Sequence, residues 1–351
     1  MEIAEYLEEF LPISDPFSVS HIKKDDILQE VHIYLTVTNK DIPSDCVVHS
    51  YYPRTWEHLP LFEYRCFFHC EIPIYKNTKT KKKIKPDISF AREKGRFTLL
   101  YEANVLCLLK ETYCFAQVAR YLSINQQRVE HIYHHYTKDL NVDVLQTCPV
   151  RIAFDETSTR KGHQYITTFY DLDTKRVIGI YDGRSADCVK QFYQDHPYPE
   201  AIEVVSMDMS PAFISGIHTY FPQASITFDK WHVIKLLYKH LDTLKKKSQE
   251  FQDKIGLIMT QITDFYNQTN PKEASAQLSF MADFAEEVMQ KNSFTNTIER
   301  HFKGIINYFV SKVNNGVLEG INSKIQIIKR IARGFRYTQN FKKMIRFAYN
   351  C

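Results

Sequence analysis

The pattern of apolar and polar positions is clearest between residues 151 and 232, where it predicts a small sheet with two helices. Runs rich in β-branched and aromatic residues are typical of buried strands. Ser185 precedes a helical pattern, and Ser210-Pro211 supplies an N-cap and a first helical residue for another. The strands are expected at 151–155, 164–170, 176–181, 202–207 and 224–228, and the helices at 185–194 and 212–220. The predicted order is three strands, helix, strand, helix, strand.

Two of these apolar runs stop at an aspartate. Arg151-Ile-Ala-Phe is followed by Asp155, and Ile202-Glu-Val-Val-Ser-Met207 is followed by Asp208. Carboxylates at the ends of two adjacent strands could together hold one metal ion. A structural interpretation also exists for each, because Asp155 could cap a turn and Asp208 could support the N-terminus of the following helix.

A long helical pattern from Val233 to about Phe309 separates these strands from a last helix, Gly316 to Arg333, which carries Glu319 in its first turn. A first-turn glutamate is favoured by the helix dipole alone, so Glu319 has a structural interpretation too. The later turns are basic, and such a helix can place a carboxylate beside the two aspartates while its cations face phosphate. The basic residues are Lys324, Lys329, Arg330 and Arg333.

The segment from Phe97 to Asp139 is predicted to be helical, and its second part, Phe115 to Ile132, has the spacing of a helix-turn-helix. Val118 and Ala119 would then face Val129 and Ile132 across the turn. An ordinary helical hairpin fits the spacing equally well. In the helix-turn-helix interpretation, the second helix offers a set of polar side chains to a DNA groove, namely Asn125, Gln126, Gln127, Arg128 and His131.

Residues 1 to about 92 mix short strand-like pieces with a lysine-rich run at 76–85, which indicates either a solvated loop or a DNA contact. Tetrahedral zinc needs four Cys or His donors, usually as two close pairs. Cys46 with His49, and Cys66 with His69 or Cys70, could in principle supply them, but their spacing does not favour zinc, so zinc is not expected there. A small metal-free β domain is the prediction.

Composition limits the class of protein without identifying it. With 351 residues, 44% of them hydrophobic, the chain can bury the cores of two or three domains. The net charge of +4 is too mild to prove nucleic-acid binding. None of the eight cysteines forms a Cys-x-x-Cys pair, so a disulfide scaffold is not expected and most are expected to be buried. No run has the length of a membrane span and the start does not resemble a signal peptide, so a cytoplasmic location is expected.

Six sequence blocks in one order resemble the DDE transposases of prokaryotic insertion sequences, and among them the ISL3 family. The blocks are Phe154-Asp-Glu-Thr157, Lys161-Gly-His163, Tyr170-Asp-Leu-Asp173, Ser206-Met-Asp-Met-Ser-Pro211, Phe228-Asp-Lys-Trp-His232 and Asn315-Gly-Val-Leu-Glu-Gly-Ile-Asn322. The resemblance implies an α/β fold with a mixed sheet, a ribonuclease H-like core interrupted by an all-α insertion. The implied domains are a degenerate zinc-ribbon-like β domain at 1–92, a helix-turn-helix domain at 93–145, the split catalytic domain at 146–234 and 311–351, and the insertion at 235–310.

The resemblance also implies an enzyme that cuts and joins DNA. Asp155, Asp208 and Glu319 would bind two Mg²⁺ ions, with Mn²⁺ as a substitute, and act on double-stranded DNA, both element ends and target. A homodimer or larger assembly on DNA, associated with the nucleoid, is expected. Asp229 and His232 are possible auxiliary residues.

Further DNA contacts are expected from Lys161 and Arg184 on loops and from the basic residues of the last helix. Gln326 departs from the pattern, because many DDE transposases carry a basic residue seven positions after the glutamate. Two alternatives stay open at this point: a catalytically inert DNA-binding relative that acts as a repressor or end-binding protein, and a two-metal nuclease or resolvase.

Overall fold

The structure is a computed structural model that describes residues 11–38, 45–138, 148–159, 164–242, 249–311, 313, 315–332, 335 and 337–350. For 249 and 315–319 it describes the backbone and not the side chains. The chain divides into two compact units, Met1–His135 and Tyr136–Cys351, called the N-terminal and C-terminal units below.

The N-terminal unit is built on a five-stranded sheet of order β1-β2-β4-β3, with β5 paired to β4. β2 and β4 are parallel, and the other pairs are antiparallel. Alternate residues such as Ile33, Phe68 and Ile72 are fully buried on one face, where they pack with Trp56 and Phe90. The strands are β1 Phe17–Asp25, β2 Glu30–Val37, β3 Cys46–Leu61, β4 Tyr64–Asn77 and β5 Lys83–Ile84.

Three helices follow this sheet, and a buried hydroxyl connects the first of them to β3. The helices are α1 Leu99–Thr112, α2 Phe115–Tyr121 and α3 Gln126–Thr137. The Thr98 hydroxyl accepts the backbone N–H of Tyr101 at the start of α1 and lies 2.8 Å from Nδ1 of His58. Its single proton can therefore be donated to an unprotonated His58. Burial lowers the pKa of His58 to about 4.

The turn between α2 and α3 is tight and contains no glycine. Ser123 takes the left-handed conformation, with φ of 54°, and the Ile124 N–H donates to the Ala119 carbonyl at 3.0 Å. Small polar residues enter that region more readily than β-branched ones, which explains how the turn closes without glycine. Val118 in α2 and Val129 in α3 are both buried.

The C-terminal unit contains a second five-stranded sheet, of order β10-β9-β6-β7-β8. β6, β7 and β8 are antiparallel neighbours, whereas β6, β9 and β10 are parallel. With helix α4 between β8 and β9 and α5 between β9 and β10, the predicted order of elements and the α/β class with a mixed sheet are confirmed. The elements are β6 Arg151–Ser158, β7 Tyr165–Asp171, β8 Arg176–Asp182, α4 Ala186–Asp195, β9 Val204–Met207, α5 Pro211–Tyr220 and β10 Ser225–Phe228.

One boundary prediction was wrong. β6 continues to Ser158, so Asp155 lies inside the strand and does not end it. The reason is that antiparallel pairing with β7 holds the strand through Ser158, opposite Tyr165, whereas parallel pairing with β9 stops at Ala153. Asp155 therefore lies just beyond the parallel ladder with β9 and in the middle of the antiparallel ladder with β7.

Both faces of this sheet are covered by helices. On one face, the Phe154 ring lies 4.9 Å from that of Phe213 in α5, and Phe169 stacks on Phe192 in α4 at 4.2 Å. On the other face, Tyr170 contacts Tyr349 in the last helix. A sheet buried on both sides needs apolar residues at consecutive positions, which explains the nearly continuous burial along β7.

Six more helices complete the C-terminal unit, and among the described residues from 230 to 311 no strand occurs. They are α6 Lys230–Asp242, α7 Gln249–Phe265, α8 Pro271–Met289, α9 Ser293–Ser311, α10 Asn315–Ile331 and α11 Thr338–Asn350. Within the described part of the chain, none of the helices combines the length and apolar character that crossing a membrane requires.

Asparagine side chains from two of these helices bind the edge strands of the sheet. The Asn307 amide of α9 donates to the Ile226 carbonyl of β10 at 2.7 Å, and Asn350 of α11 both donates to and accepts from the backbone of Val177 in β8. Gly304 allows α9 to approach, since a Cβ there would lie 2.3 Å from the Phe228 ring. Both sheet edges are thus occupied, which removes unpaired strands from solvent.

The cysteines do not follow the expected burial. Of those described, Cys66, Cys70 and Cys188 are buried, and the other four are half-buried or exposed, so the expectation that most are buried was wrong. All the described cysteines are free thiols. Burial raises the pKa of Cys66 and of Cys70 to about 12, which keeps both protonated, whereas zinc binds thiolate.

We expect the N-terminal unit to lose stability between pH 6.5 and 4 because of His58. Its pKa is lowered in the folded state, so the unfolded state takes up the proton first. The stability that neutral His58 provides is complete above pH 6.5 and lost as the pH falls towards 4. At about 1.4 kcal/mol per pKa unit, a shift from 6.5 to about 4 corresponds to a loss on the order of 3–4 kcal/mol. His58→Gln should reduce it, as measured by hydrogen exchange of β3 and α1 peptides in the full chain.

The matched control is His21→Gln, which removes an exposed histidine from β1 of the same unit. It should retain the pH dependence of the unsubstituted protein. Identical pH profiles for His58→Gln and the unsubstituted protein would contradict the assignment to His58.

Candidate active site

Three aspartates lie at one level across the parallel strands of the C-terminal unit. Ala153 pairs with Ser206, and two residues further on in each chain segment are Asp155 and Asp208. Met207 pairs with Phe228, so Asp229 is the neighbour of Asp208 on the other side. The Asp229 N–H donates to the Met207 carbonyl at 2.9 Å, which continues the ladder. Neighbouring strands are about 4.8 Å apart, so the register brings these carboxylates to one edge of the sheet.

A cavity of about 510 Å³, the carboxylate pocket, opens at this edge. Its polar lining comes from the three strand ends, from the start of α6 and from α10, which lies nearly 170 residues after β6 in the chain. The lining residues are Phe154, Asp155, Met207, Asp208, Asp229, Trp231, His232, Asn322 and Ser323.

Helix α10 is fixed to β6 at two points. The Asn322 amide donates to Oδ2 of Asp155, and the Lys329 ammonium donates to the Ser158 carbonyl at 2.6 Å and to its hydroxyl at 3.0 Å. These residues are seven positions apart, two helical turns, and therefore lie on one face of the helix. α10 thus runs along β6, with the same face towards Asp155 and Ser158.

Burial raises the pKa of Asp155, and the nearby Asp208 carboxylate raises it further. Three interactions act in the opposite direction: the Glu156 N–H at 2.7 Å from Oδ1, the charge of His232, and the Asn322 amide. The pKa of Glu156 is also raised, by burial and then by Asp208, while Arg184 at 3.9 Å lowers it. The edge therefore concentrates negative charge in a partly desolvated place, where a cation would be stabilised.

Asp208 and Asp229 also stabilise the helices that follow them. Asp208 Oδ1 accepts the Ser210 N–H at 3.0 Å before α5, and Asp229 Oδ1 accepts the His232 N–H at 3.0 Å at the start of α6. Asp229 therefore bonds to the backbone of His232. Nδ1 of His232 is buried and has no hydrogen-bond partner among the described residues.

Glu319 lies in α10, one turn before Asn322, and its side chain is outside the described part of the structure. Among the side chains that are described, no group of three or more His, Cys, Asp or Glu could hold a metal ion. Asp155 and Asp208 contribute two carboxylates, and Oδ1 of Asn322 is buried without a partner in the described set. Hard divalent cations such as Mg²⁺ take oxygen ligands of these kinds, so the residues fit such an ion as part of a larger ligand set.

A family model described as transposase, that of the ISL3 insertion sequences, matches residues 152–255 and 254–345, more than half of the chain. The chain belongs to the ISL3 family of transposases. The match begins in β6 and ends in α11, so it contains Asp155, Asp208 and the helix with Glu319.

A curated relative of this ISL3 transposase is the transposase for insertion sequence element IS1001 of Bordetella parapertussis. It is 24% identical over 245 residues, which cover 56% of this chain and 60% of the relative. The chain therefore matches less than two thirds of that relative's length.

The basic residues predicted to contact DNA from α10 differ in their surroundings. Lys324 donates to the Ala348 carbonyl at 3.0 Å and lies over the Tyr349 ring, so it faces α11. Lys329 is bound to Ser158, as described above. Arg330 and Gln326 are exposed, whereas Arg333 lies outside the described residues.

The loop residues also differ. Arg184 is exposed, lies over the Tyr165 ring at 4.3 Å and pairs with Glu156, which connects it to the carboxylate pocket. Lys161 lies outside the described residues. The structure therefore brings Arg184, and not Lys324, close to the acidic edge.

In the N-terminal unit, the residues predicted to enter a DNA groove are all exposed on α3 or just before it. Two have intrahelical roles: Asn125 Oδ1 accepts the Gln127 N–H at 2.8 Å, and Gln126 donates to Glu130 at 2.7 Å. Arg128 lies 5.9 Å from the Phe97 ring centroid. His131 is exposed one turn after Gln127.

Sequence reasoning did not assign two residues of this site. Asn322 was noted only as part of a sequence block, although its spacing of three from Glu319 places both on neighbouring positions of one helix face. Glu156 directly follows Asp155 in the sequence, and nothing in the local sequence pattern shows that the Asp208 carboxylate raises the pKa of Glu156. The helical spacing was the available signal for Asn322.

We expect Asp155→Asn to stabilise the metal-free protein at neutral pH. Because the pKa of Asp155 is raised in the folded state, this group contributes stability at low pH that is lost as the pH rises from its ordinary value of 3.8 through the raised value. The amide has no charge to bury. A Tm above that of the unsubstituted protein is expected at pH 7.5 in chelator, and the difference should disappear as the pH falls below 3.8.

Thermal unfolding monitored by circular dichroism measures this gain. Asp283→Asn, on the exposed surface of α8, is the matched control and should leave the Tm unchanged. A Tm for Asp155→Asn equal to or below that of the unsubstituted protein at pH 7.5 would contradict the prediction.

Proposed function

We propose that the protein is a DNA transposase in which Asp155, Asp208 and Glu319 bind the divalent cations used to cut and join DNA. The single observation that supports this most strongly is the contact between Asn322 and Asp155. It fixes α10 against the edge where Asp155 and Asp208 are neighbours, and Glu319 precedes Asn322 by one turn. In this proposal, two carboxylates from the sheet and a third from helix α10 lie close together, although they are distant in the sequence.

When bound, a pair of Mg²⁺ ions neutralises the scissile phosphate, activates an oxygen nucleophile and assists the leaving oxygen. Hydrogen bonds within the protein orient the carboxylates that would hold these ions. Asp155 is held by the Glu156 N–H and the Asn322 amide, and Asp208 by the Ser210 N–H, so the two carboxylates are oriented before any ligand arrives. Lys329 fixes the far end of β6 to α10, and we assign it a positioning role.

The sheet supports the same proposal through its topology. In chain order, three antiparallel strands are followed by two parallel ones, with Asp155 in the first strand and Asp208 directly after the fourth. This is the arrangement expected of a ribonuclease H-like core. In this proposal, 146–234 and 311–351 form the catalytic domain and the helices between them form the insertion. In this proposal Asp229 and His232 are auxiliary, since each borders the pocket.

The proposed reaction can be tested with DNA fragments that carry the sequences flanking the coding region, incubated with Mg²⁺ or Mn²⁺. Cleavage that frees a 3′-hydroxyl, followed by a joined product, is expected on denaturing gels. Asp155→Ala, Asp208→Ala and Glu319→Gln should each abolish both products while DNA retention persists, because retention depends on other surfaces.

Asp283→Ala is the control and should cut and join as the unsubstituted protein does. Retention without cleavage in either metal would overturn the enzymatic proposal in favour of a repressor or end-binding protein. Cleavage without joining would favour a nuclease or resolvase.

We also propose that α2 and α3 form a helix-turn-helix that grips duplex DNA within a domain spanning 93–145. The burial of Val118 and Val129 and the exposure of Gln127, Arg128 and His131 support this orientation. The same exposure would be found in an inert hairpin, so the distinction needs a binding measurement.

Arg128→Gln should weaken binding to a duplex and reduce the slope of log affinity against log salt by about one, the value for one lost phosphate contact. Fluorescence anisotropy with a labelled duplex, repeated at several salt concentrations, measures both quantities. Lys272→Gln on α8 removes a comparable exposed charge and should change neither. An unchanged slope for Arg128→Gln, in a protein of unchanged Tm, would remove Arg128 from the interface.

A further inference from the structure

A second groove begins where the carboxylate pocket ends, and Trp231 lines both. The groove has a volume of about 750 Å³ and follows one side of helix α6, which is called the α6 face here. Its residues recur at intervals of three and four and so lie on one helical stripe. They are Trp231, Ile234, Lys235, Tyr238, Lys239 and Asp242.

The two tryptophans of the chain have opposite environments. Trp56 is completely buried in the core of the N-terminal unit, whereas Trp231 is 50% exposed. Tryptophan is the side chain with the largest apolar ring, so a half-exposed one beside a pocket presents a surface that water solvates poorly. The Lys235 ammonium lies 4.5 Å from the Trp231 ring centroid, which fixes that lysine at the mouth of the pocket.

The charges on the α6 face are mainly positive. Lys235 and Lys239 are exposed, one turn apart, and neither forms a salt bridge within the described part of the chain. Asp242 is the one acid that lines the groove, at its far end from Trp231. Hydrogen bonds to the Met259 carbonyl and to Thr263 restrain the Tyr238 side chain on the α6 face.

We propose that the α6 face binds the unpaired end of a DNA strand, with a base stacked on Trp231 and phosphates beside Lys235 and Lys239. Stacking on an exposed aromatic ring combined with cations that follow the backbone is the general mode of single-strand binding, and it needs no particular base. Lys239 follows Trp231 by eight positions, about 12 Å along the helix. At roughly 3.4 Å per stacked nucleotide, this length matches about three nucleotides.

This inference rests on the proposed function in one respect. The strand held on the α6 face would lead into the carboxylate pocket, because Trp231 borders both. The face would thus bind the nucleotides next to the phosphate that is cut, and separate them from their complementary strand. Binding itself needs no metal and no reaction, so it can be tested separately from cleavage.

The test uses the tryptophan emission of the full chain in chelator, titrated with an oligothymidine that carries no secondary structure. Trp231 emission should be quenched as the strand binds. Trp231→Phe, which leaves Trp56 alone, should bind with similar affinity and lose the quenching. In anisotropy measurements at low salt, Trp231→Ala should weaken binding by about ten-fold or more, the effect of losing one stacked base.

Lys235→Gln and Lys239→Gln should each reduce the affinity and the salt dependence, since each removes one phosphate contact. Phe280→Ala, which removes an exposed aromatic ring from α8, is the matched control and should leave the affinity unchanged. Unaltered emission at a strand concentration that saturates the anisotropy would overturn the proposal. Emission that changes with protein concentration in the absence of DNA would overturn it in favour of contact between two copies.

The two proposals can fail separately. Quenching without any cleavage would support strand binding on the α6 face and contradict the proposed cleavage reaction. Cleavage that is unaffected by Trp231→Ala, together with unquenched emission, would retain the reaction and reject the strand site.

Discussion

The shared register of β6, β9 and β10 is the constraint on which the site depends. It places Asp155, Asp208 and Asp229 side by side where parallel pairing stops. The helices that start there supply backbone N–H groups to Asp208 and Asp229, whereas Asp155 depends on Asn322 from a distant helix. Burial raises the pKa of Asp155, and repulsion from the Asp208 carboxylate raises it further. The arrangement is therefore less stable without a cation than it would be with one.

The helices from 230 to 311 are also needed to complete the sheet. α6 begins beside the pocket, and α9 ends the series with Asn307 bound to the edge strand β10. At the opposite edge, Asn350 binds β8, and the buried Lys342 forms an ion pair with the exposed Asp182. Removing the helices from 230 to 311 would expose β10, so they stabilise the sheet as well as carrying any surface for DNA.

The position of a lysine in the sequence did not predict what its ammonium group contacts. Lysines 324 and 329 had been grouped with Arg330 as cations for phosphate, but the structure gives Lys324 a carbonyl of α11 and Lys329 the end of β6. Lys235 and Lys239, which composition did not distinguish, remain exposed beside a half-buried tryptophan. A lysine ammonium can satisfy a backbone carbonyl or meet a polyanion, and only its neighbours decide which.

By itself, the sequence determined the order of strands and helices in the C-terminal unit, the position of Asp208 after β9, and the helical pairs around residues 115–137. These features follow from local periodicity and capping, which act over a few residues. The sequence did not determine that β6 continues past Asp155, that Asn322 meets Asp155 across 167 residues, or which cysteines are buried. Strand register and helix packing decided those, because they depend on contacts between segments that no local pattern encodes.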